Sequence, residues 1–125
     1  MSVSWTIEHG AIVIAVDGDY TTEELEQAVS AALYSPQFPL GGSILFDGRK
    51  ATATTTPALL ERRAHLLASL FEHGVISRCA VVPAPERAHL VRKVRAKVPA
   101  ARGRMRILKN MEEGMEWLGE REITP

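Results

Sequence analysis

The stretch Ala11–Val16 most constrains how this chain can fold, because it is apolar at every position. A short run of this kind is typical of a strand that is buried on both faces, which occurs where helices cover a parallel sheet. The run Ile76–Val82 has the same character, with Arg78 as its one charge. We therefore predict a sheet that is covered by helices and that contains both segments.

The N-terminal segment predicts a different kind of strand. Val3, Trp5 and Ile7 alternate with polar residues, which is the period-two pattern of a strand with one exposed face. His9-Gly10 then suits a two-residue hairpin turn, because glycine readily adopts a positive φ. We therefore expect the first strand to be antiparallel and to lie at an edge of the sheet.

Four segments between and after the strands have helical periodicity. The first opens with a capping box formed by Thr21 and Glu24, and the second begins at Pro57, a residue well suited to the first helical position. The third is expected over Glu86–Val98. The fourth opens with another capping box, which begins at Asn110.

The element order is β-β-α-β-α-β-α-β-α when a short third strand, Ser43–Phe46, and a fifth strand, Arg104–Leu108, are included. Alternation of this kind predicts an α/β fold with a mixed, mostly parallel five-stranded sheet. A chain of 125 residues has room for one compact core. We therefore expect a single domain over residues 1–125.

Charge and composition argue against several classes of partner and location. The net charge is zero, and the basic segment 78–109 has no aromatic residue that could stack on bases, so no nucleic-acid partner is expected. No apolar run is long enough to span a bilayer, and the N-terminus lacks the apolar core of a signal peptide. We therefore expect a cytoplasmic protein that is not transmembrane. Cys79 is the one cysteine, so no intramolecular disulfide can form.

The segment Ser43–Pro57 is the candidate functional segment. It runs from a strand through Asp47-Gly48-Arg49 and a threonine-rich loop to the predicted start of a helix. Loops of this kind commonly carry the binding groups of α/β proteins. The candidate ligand- or partner-binding residues are Asp47, Arg49, Lys50, Thr52, Thr54, Thr55 and Thr56.

Two interpretations of these residues stay open. The threonines, Arg49 and Lys50 could bind an anion at the helix N-terminus, or Thr56 could cap the helix while the other threonines are solvated. Asp47 and Arg49 could bind a polar headgroup or a partner, or they could form a local ion pair that fixes the loop. The candidate phosphoacceptors are Thr54, Thr55 and Thr56.

No catalytic, cofactor or metal site is expected. Cys79 and Ser77 lack the glycine-bounded turn of a nucleophile elbow, and the chain has no dinucleotide fingerprint and no P-loop. Zinc needs three or four converging ligands, and the histidines have no ligand spacing. These histidines are His9, His65, His73 and His89.

Five segments of the chain carry a resemblance to a known family: Trp5, Gly10–Ile14, Gly18–Leu25, Ile44–Arg49 and Cys79–Val82. They make the chain similar to the SpoIIAA-like branch of the STAS superfamily, which is named for sulfate transporters and anti-sigma factor antagonists. The resemblance covers nearly the whole chain. It implies a small α/β domain that is used for phosphorylation-switched protein binding or, in the related CRAL-TRIO domains, for the carriage of apolar ligands.

The chain departs from the antagonists of this family at one motif. The antagonists carry an Asp-Ser or Asp-Thr pair followed by glycine, with the hydroxyl at the start of the second helix. In this chain Asp47 is followed by Gly48 and Arg49, and hydroxyl groups appear only from Thr52 onward. No residue matches the phosphoacceptor position of the motif.

Two functions are therefore expected. The first is that of a non-catalytic regulatory module of STAS type that acts through contact with a protein partner. The second is that of a carrier for a small apolar molecule or lipid. Its pocket would lie beside the second helix or under the last one, where Met105, Met111 and Met115 cluster. Exposed first and last strands would also offer edges for a homodimer.

Overall fold

The computed structural model describes residues 2–119, which form one sheet with helices on both faces. The strands are Val3–Glu8 (β1), Ala11–Gly18 (β2), Gly42–Ala51 (β3), Ile76–Pro83 (β4) and Met105–Ile107 (β5). The helices are Thr22–Leu33 (α1), Pro57–Glu72 (α2), Ala88–Ala96 (α3) and Met111–Gly119 (α4). Two short 3₁₀ turns, Pro85–Arg87 and Pro99–Ala101, flank α3.

The five strands lie in the sheet in their chain order, β1-β2-β3-β4-β5. β1 pairs with β2 in the antiparallel sense, and the remaining pairs are parallel. The predicted α/β class, the mostly parallel five-stranded sheet and the antiparallel first edge strand are therefore confirmed. The single domain predicted over residues 1–125 extends beyond the described residues and stays a prediction.

The three helices that connect parallel strands pack on the same face of the sheet. This arrangement follows from the strand order, because successive right-handed crossovers in one direction place their helices on one face. Ile12, Ile14 and Ile44 point to this face and are almost fully buried. α4 packs on the opposite face against Leu45 of β3 and Ala80 of β4.

Local signals in the sequence placed the ends of several elements correctly. The capping box of α1 is present, with the Glu24 amide donating to Thr21 Oγ1 and the Thr21 amide donating to the Glu24 carboxylate, both at 3.1 Å. His9 and Gly10 both have positive φ angles, of 51° and 79°, and form the predicted hairpin turn. Gly74, with a φ of 67°, follows the last turn of α2 as predicted.

β2 is less buried on one face than its sequence predicts. Ile12, Ile14 and Val16 are buried on the face that carries α1, α2 and α3, whereas Val13 and Ala15 on the other face are only half-buried. The reason is the position of α4, which covers β3 and β4 and leaves β2 partly open.

The predicted third strand is too short and the predicted third helix is too long. β3 continues past Phe46 to Ala51, because β2 also continues to Gly18 and pairs with it. Within the segment predicted as one helix over Glu86–Val98, the first two residues belong to a 3₁₀ turn and α3 ends at Ala96, before the second 3₁₀ turn begins at Pro99.

The fifth strand is also shorter than predicted. Arg104 lies before β5 and does not point outward from an edge strand. It is half-buried, its Nε donates to the Ala100 carbonyl at 3.0 Å, and its guanidinium carbon lies 4.8 Å from the centroid of the Phe71 ring. Arg106, the other predicted outward arginine, is exposed.

None of the helices within residues 2–119 combines the length and the hydropathy that a membrane-spanning helix needs.

Candidate functional site: an apolar cavity beside helix α2

A cavity of about 150 Å³ lies between the sheet and the helices on its three-helix face. β2, β3, β4 and β5 contribute its floor, and α1, α2 and α3 contribute its walls. The lining is almost entirely apolar. Its apolar side chains are Ile14, Leu25, Val29, Ile44, Phe46, Ala51, Leu60, Leu66, Leu67, Leu70, Cys79, Val81, Pro83, Leu90, Val91, Val94 and Met105.

The cavity opens between α2 and α3. Leu67 on α2 and Leu90, Val91 and Val94 on α3 line it and are only half-buried, whereas the strand residues of the floor, such as Ile14, are buried. The predicted helical wheel of the third helix, with these three residues on one face, is therefore correct. The pocket that was expected beside the second helix is present.

The volume limits what the cavity can hold. An engineered cavity of about 150 Å³ with a comparable aliphatic and aromatic lining in another protein binds benzene. Pockets that enclose drug-sized ligands start at about 300 Å³. A ring or a short chain of about six to eight non-hydrogen atoms therefore suits this cavity, and the bulk of a long-chain lipid would have to lie outside it.

Three polar side chains interrupt the apolar lining: Tyr20, Arg63 and Arg87. Tyr20 follows β2, Arg63 lies on α2, and Arg87 lies in the 3₁₀ turn after β4. Strands β2 and β4 both flank β3 and are parallel to it, so their carboxyl ends lie at the same edge of the sheet. The fold thereby brings a phenol and two guanidinium groups to one end of an apolar cavity.

Arg63 lies against the ring of Tyr20, with 5.1 Å between its guanidinium carbon and the ring centroid. A guanidinium at this distance is attracted to the face of the ring. Its Nε is buried and has no hydrogen-bond acceptor among residues 2–119. Arg63 therefore contributes an unsatisfied charged donor to the cavity.

Arg87 is bound to the loop that connects β3 to α2. Its Nη2 donates to the carbonyl oxygen of Ala53 at 2.8 Å and to Thr55 Oγ1 at 3.2 Å. These two bonds occupy one nitrogen of a group that has three nitrogens and five N–H donors. Arg87 is therefore positioned by the loop.

The hydroxyl group of Tyr20 is held in its neutral form. Burial raises its pKa above the ordinary value of 10.0, and the positive charges of Arg63 and Arg87 oppose part of this effect. A protonated phenol can donate a hydrogen bond. The ring of Tyr20 also contacts Phe46, at 6.5 Å between centroids, and this contact ties the phenol to the cavity wall.

The predicted candidates Asp47 and Arg49 form the local ion pair that was one of the two interpretations. Arg49 Nε donates to Asp47 Oδ1 at 2.8 Å, and Nη2 donates to Oδ2 at 2.9 Å. The Arg49 guanidinium lowers the pKa of Asp47 below its ordinary value of 3.8. The side chain of Asp47 is 17% exposed and that of Arg49 is 51% exposed.

This ion pair lies away from the cavity. Ile44, Phe46 and Gly48 line the cavity, so the alternation of side chains along β3 directs Asp47 to the opposite face of the sheet. The register between β2 and β3 then shifts, because Ala15 is paired with Asp47 but Asp17 is paired with Lys50. This bulge returns Ala51 to the cavity side and leaves Lys50 exposed.

The threonines of the loop have different environments. Thr56 caps α2, since its Oγ1 accepts from the Leu59 amide at 3.2 Å, and Pro57 is the first helical residue, as one interpretation predicted. The side chain of Thr55 is bound to Arg87. Thr52 and Thr54 are exposed. The structure therefore does not gather the seven predicted site residues into one site.

Cys79 lies in the floor of the cavity and is buried. Burial raises the pKa of its thiol to about 12. A thiol with such a pKa is almost entirely protonated at neutral pH, and it is the thiolate that acts as a nucleophile. Cys79 therefore acts as an apolar part of the cavity wall.

Within residues 2–119, no group of three or more histidine, cysteine, aspartate or glutamate side chains could hold a metal ion. His73 contacts the end of α2, where its Nδ1 lies 2.8 Å from the carbonyl oxygen of Ser69.

The methionine cluster that was considered as a pocket wall is divided between the two faces of the sheet. Met105 lines the cavity. Met111 and Met115 pack with Leu45 and Trp117 under α4, on the opposite face. The cavity therefore lies beside the second helix and not under the last one.

Tyr20, Arg63 and Arg87 are not among the predicted site residues, although the sequence contains a signal for each of them. Arg63 is spaced from Leu60 and Leu67 so that the three share the apolar face of α2. Arg87 follows the predicted fourth strand. The carboxyl ends of the parallel third and fourth strands lie at the same edge of the sheet, where open α/β sheets bind ligands. Tyr20 follows the predicted second strand in the same way.

The sequence matches no protein-family model and no curated protein. A crystal structure of an uncharacterised protein of the DUF3478 family from Shewanella loihica PV-4, described as having a SpoIIAA-like fold, is similar to this structure. The TM-score is 0.59 and the sequence identity is 18%, over 93% of this chain and 91% of that one. The likeness shows that this chain has a SpoIIAA-like fold, as the resemblance in its sequence predicted. It does not transfer a function, since one fold serves many.

Proposed function

We propose that this SpoIIAA-like α/β protein is a binding module without catalytic activity, and that it holds a small apolar molecule in the cavity between its sheet and helices α2 and α3. The observation that supports this proposal is the cavity of about 150 Å³ itself, which is lined by apolar side chains and opens between the two helices. Small-molecule sites are typically concave and lined mostly by apolar side chains, with a few polar groups that orient the ligand. The cavity, with its apolar lining and three polar side chains, has this character.

The absence of catalysis is part of the same proposal. The one thiol in the cavity belongs to Cys79, whose pKa of about 12 keeps it protonated at neutral pH. The remaining lining offers one neutral phenol and two guanidinium groups, which can orient a ligand but which supply no base at neutral pH. We place this binding in the cytoplasm, in keeping with a chain that has a single, buried cysteine.

The proposal can be tested with neutral probes of the right size. Hexan-1-ol and benzyl alcohol should shift the backbone amide signals of cavity residues such as Val81 and Val94 in two-dimensional NMR spectra. The matched variant is Val91→Phe, which adds a ring to the cavity wall and should abolish these shifts. If neither alcohol perturbs these signals at millimolar concentration, the cavity does not bind small apolar molecules.

A second candidate function is regulation through contact with a protein partner at the segment that runs from the end of β3 into the loop before α2. The observation that favours it is the exposure of Arg49, Lys50, Thr52 and Thr54 in one short segment. This segment is connected to the cavity through Arg87, which donates to Thr55. A partner bound at the loop could therefore respond to what the cavity contains.

Affinity purification from native lysate tests this second candidate. The wild-type protein and the charge-reversed variant Lys50→Glu are used as baits, because Lys50 is exposed and its replacement leaves the cavity intact. A partner that is enriched by the wild type and lost with the variant supports contact at the loop. Equal enrichment by both baits, or no enrichment, argues against it.

A further inference from the structure

One charged side chain of the cavity lining is only partly satisfied. Arg63 lies on α2 among leucines, and its Nε is buried without an acceptor among residues 2–119. A buried donor without a partner destabilises a protein, and the cost is larger when the group is charged. The cation–π contact with Tyr20 offsets part of this cost but supplies no hydrogen-bond acceptor to Nε.

A second cation lies at the same end of the cavity. Arg87 lines the cavity, and both guanidinium groups are close enough to Tyr20 for their charges to act on its hydroxyl group. The two bonds to Ala53 and Thr55 fix Arg87, and within residues 2–119 its Nε and Nη1 donors have no hydrogen-bond acceptor. In the part of the chain that the structure describes, no carboxylate side chain belongs to the lining. The polar end of this cavity is therefore cationic, and these residues supply no counter-charge to it.

We propose that the ligand of this cavity is a small apolar monocarboxylate, whose carboxylate binds the guanidinium group of Arg63 while its ring or short chain fills the apolar volume. This inference rests on the proposed binding function and names the chemical class of its ligand. A carboxylate supplies the acceptor that Arg63 Nε lacks, and its planar pair of oxygens matches the donor geometry of a guanidinium group. The fixed guanidinium of Arg87 and the protonated phenol of Tyr20 are further donors at the same end.

Other ligand classes suit the site less well. A neutral apolar molecule would fill the volume and leave the Arg63 donor unsatisfied, and a cation would be repelled by both arginines. A free inorganic anion could meet the charges, but it would leave the apolar volume of about 150 Å³ unfilled. A molecule that joins one anionic group to an apolar body of about six to eight non-hydrogen atoms meets both requirements.

The test compares matched pairs of probes on the full chain. Hexanoate is compared with hexan-1-ol, and benzoate with benzyl alcohol, and dissociation constants are taken from NMR titrations of the cavity amides. Each carboxylate should bind about tenfold or more tightly than its alcohol, as expected for a hydrogen bond to a charged group. Chloride and acetate at equal ionic strength should not compete with hexanoate, since neither fills the cavity.

Substitutions separate the role of Arg63 from that of the cavity. Arg63→Met keeps an unbranched apolar side chain over Tyr20 and removes the charge. It should weaken hexanoate about tenfold or more and leave hexan-1-ol unchanged. Arg63→Gln is the second variant, to be used if the first does not fold. Arg92→Met, on the exposed side of α3, removes a charge outside the cavity and should change neither affinity.

The possible outcomes separate this inference from the proposed function. If the alcohols bind as tightly as the carboxylates, or if Arg63→Met weakens both equally, the inference is overturned and the binding function stands. If no probe binds, the binding function itself fails. Tighter binding of the carboxylates that depends on Arg63 and not on Arg92 supports the inference.

Discussion

The Nη2 atom of Arg87 donates a hydrogen bond to the carbonyl oxygen of Ala53 at 2.8 Å, and the same atom reaches Thr55 Oγ1 at 3.2 Å. These bonds join the turn after β4 to the loop before α2. They are made possible by the parallel pairing of β3 with β4, which brings the carboxyl ends of the two strands together. Ala53 is buried, so no water replaces this bond easily when Arg87 is removed.

We predict that Arg87→Met frees the loop 52–56 and lowers the free energy of unfolding. The expected loss is about 1.5–3 kcal/mol, the range for hydrogen bonds to a charged group. Backbone amides of the loop should exchange with deuterium faster, and those of α1 should be unaffected. Urea denaturation and hydrogen exchange measure the two effects.

Arg92→Met is the control for this substitution, because Arg92 is exposed on the adjacent helix. It should change the unfolding free energy by less than about 0.5 kcal/mol. An Arg87→Met variant with unchanged loop exchange would show that the bonds to Ala53 and Thr55 do not hold the loop.

The ion pair between Asp47 and Arg49 predicts a pH dependence of stability. The pKa of Asp47 is lowered in the folded protein, so the ion pair stabilises the fold above the ordinary value of 3.8. This contribution is lost as the pH falls below that value and through the lowered pKa. The pair is partly exposed, so its contribution should be below about 1 kcal/mol.

The measurement compares the wild type with Asp47→Asn by chemical denaturation at neutral pH and in acid. The wild type should be more stable at neutral pH, and the difference should shrink in acid, where Asp47 becomes neutral. A difference that does not depend on pH would mean that the substitution removes a packing or hydrogen-bonding role of Asp47 and that the charge of its carboxylate is unimportant.

The sequence was sufficient for the fold because its local signals agree with the tertiary structure. The apolar run of β2, the capping box at Thr21 and the glycine at position 74 each act within a few residues, and each is where the pattern predicts it. The strand order then restricts the connections between parallel strands to one face of the sheet. These are the features that propensity and spacing determine.

The site could be predicted only in part, because its residues meet through tertiary contacts. Asp47 and Arg63 are both charged residues near apolar segments. They differ in whether their side chains point toward the cavity. The alternation along β3 turns Asp47 away from the cavity, whereas the apolar face of α2 carries Arg63 into it. The bulge between Asp47 and Lys50, which shifts the loop residues, has no local signal in the sequence.

The buried thiol of Cys79 predicts a loss of stability at alkaline pH. Its pKa rises from 9.0 to about 12 on folding, so the protonated thiol contributes stability that is fully present below 9.0. That contribution falls by about 1.4 kcal/mol for each pH unit above this value, until the thiol of the folded protein also ionises. The wild type should therefore lose stability relative to Cys79→Ala as the pH is raised.

Chemical denaturation of both proteins at neutral and at alkaline pH measures this difference. At neutral pH the variant should be the less stable one, by about 1 kcal/mol, because a smaller side chain leaves the cavity larger. Thiol alkylation followed by mass spectrometry provides an independent check, with slow labelling of the folded wild type and rapid labelling in urea. Rapid labelling of the folded protein would show that Cys79 is accessible and that its pKa is not raised.

Gly114 determines how closely α4 approaches the sheet. A Cβ atom at this position would lie 2.8 Å from Cδ1 of Leu45, which is fully buried between the sheet and α4. Alanine is favoured over glycine by about 1 kcal/mol in an exposed helix, but here Gly114→Ala would force Leu45 or the helix to move. Overpacking of this kind commonly costs about 1–3 kcal/mol, so a net destabilisation is expected.

Gly119→Ala is the matched control in the same helix, because nothing lies within 4 Å of its Cβ position. If thermal denaturation finds Gly114→Ala as stable as Gly119→Ala, the contact between α4 and Leu45 is looser than its geometry indicates.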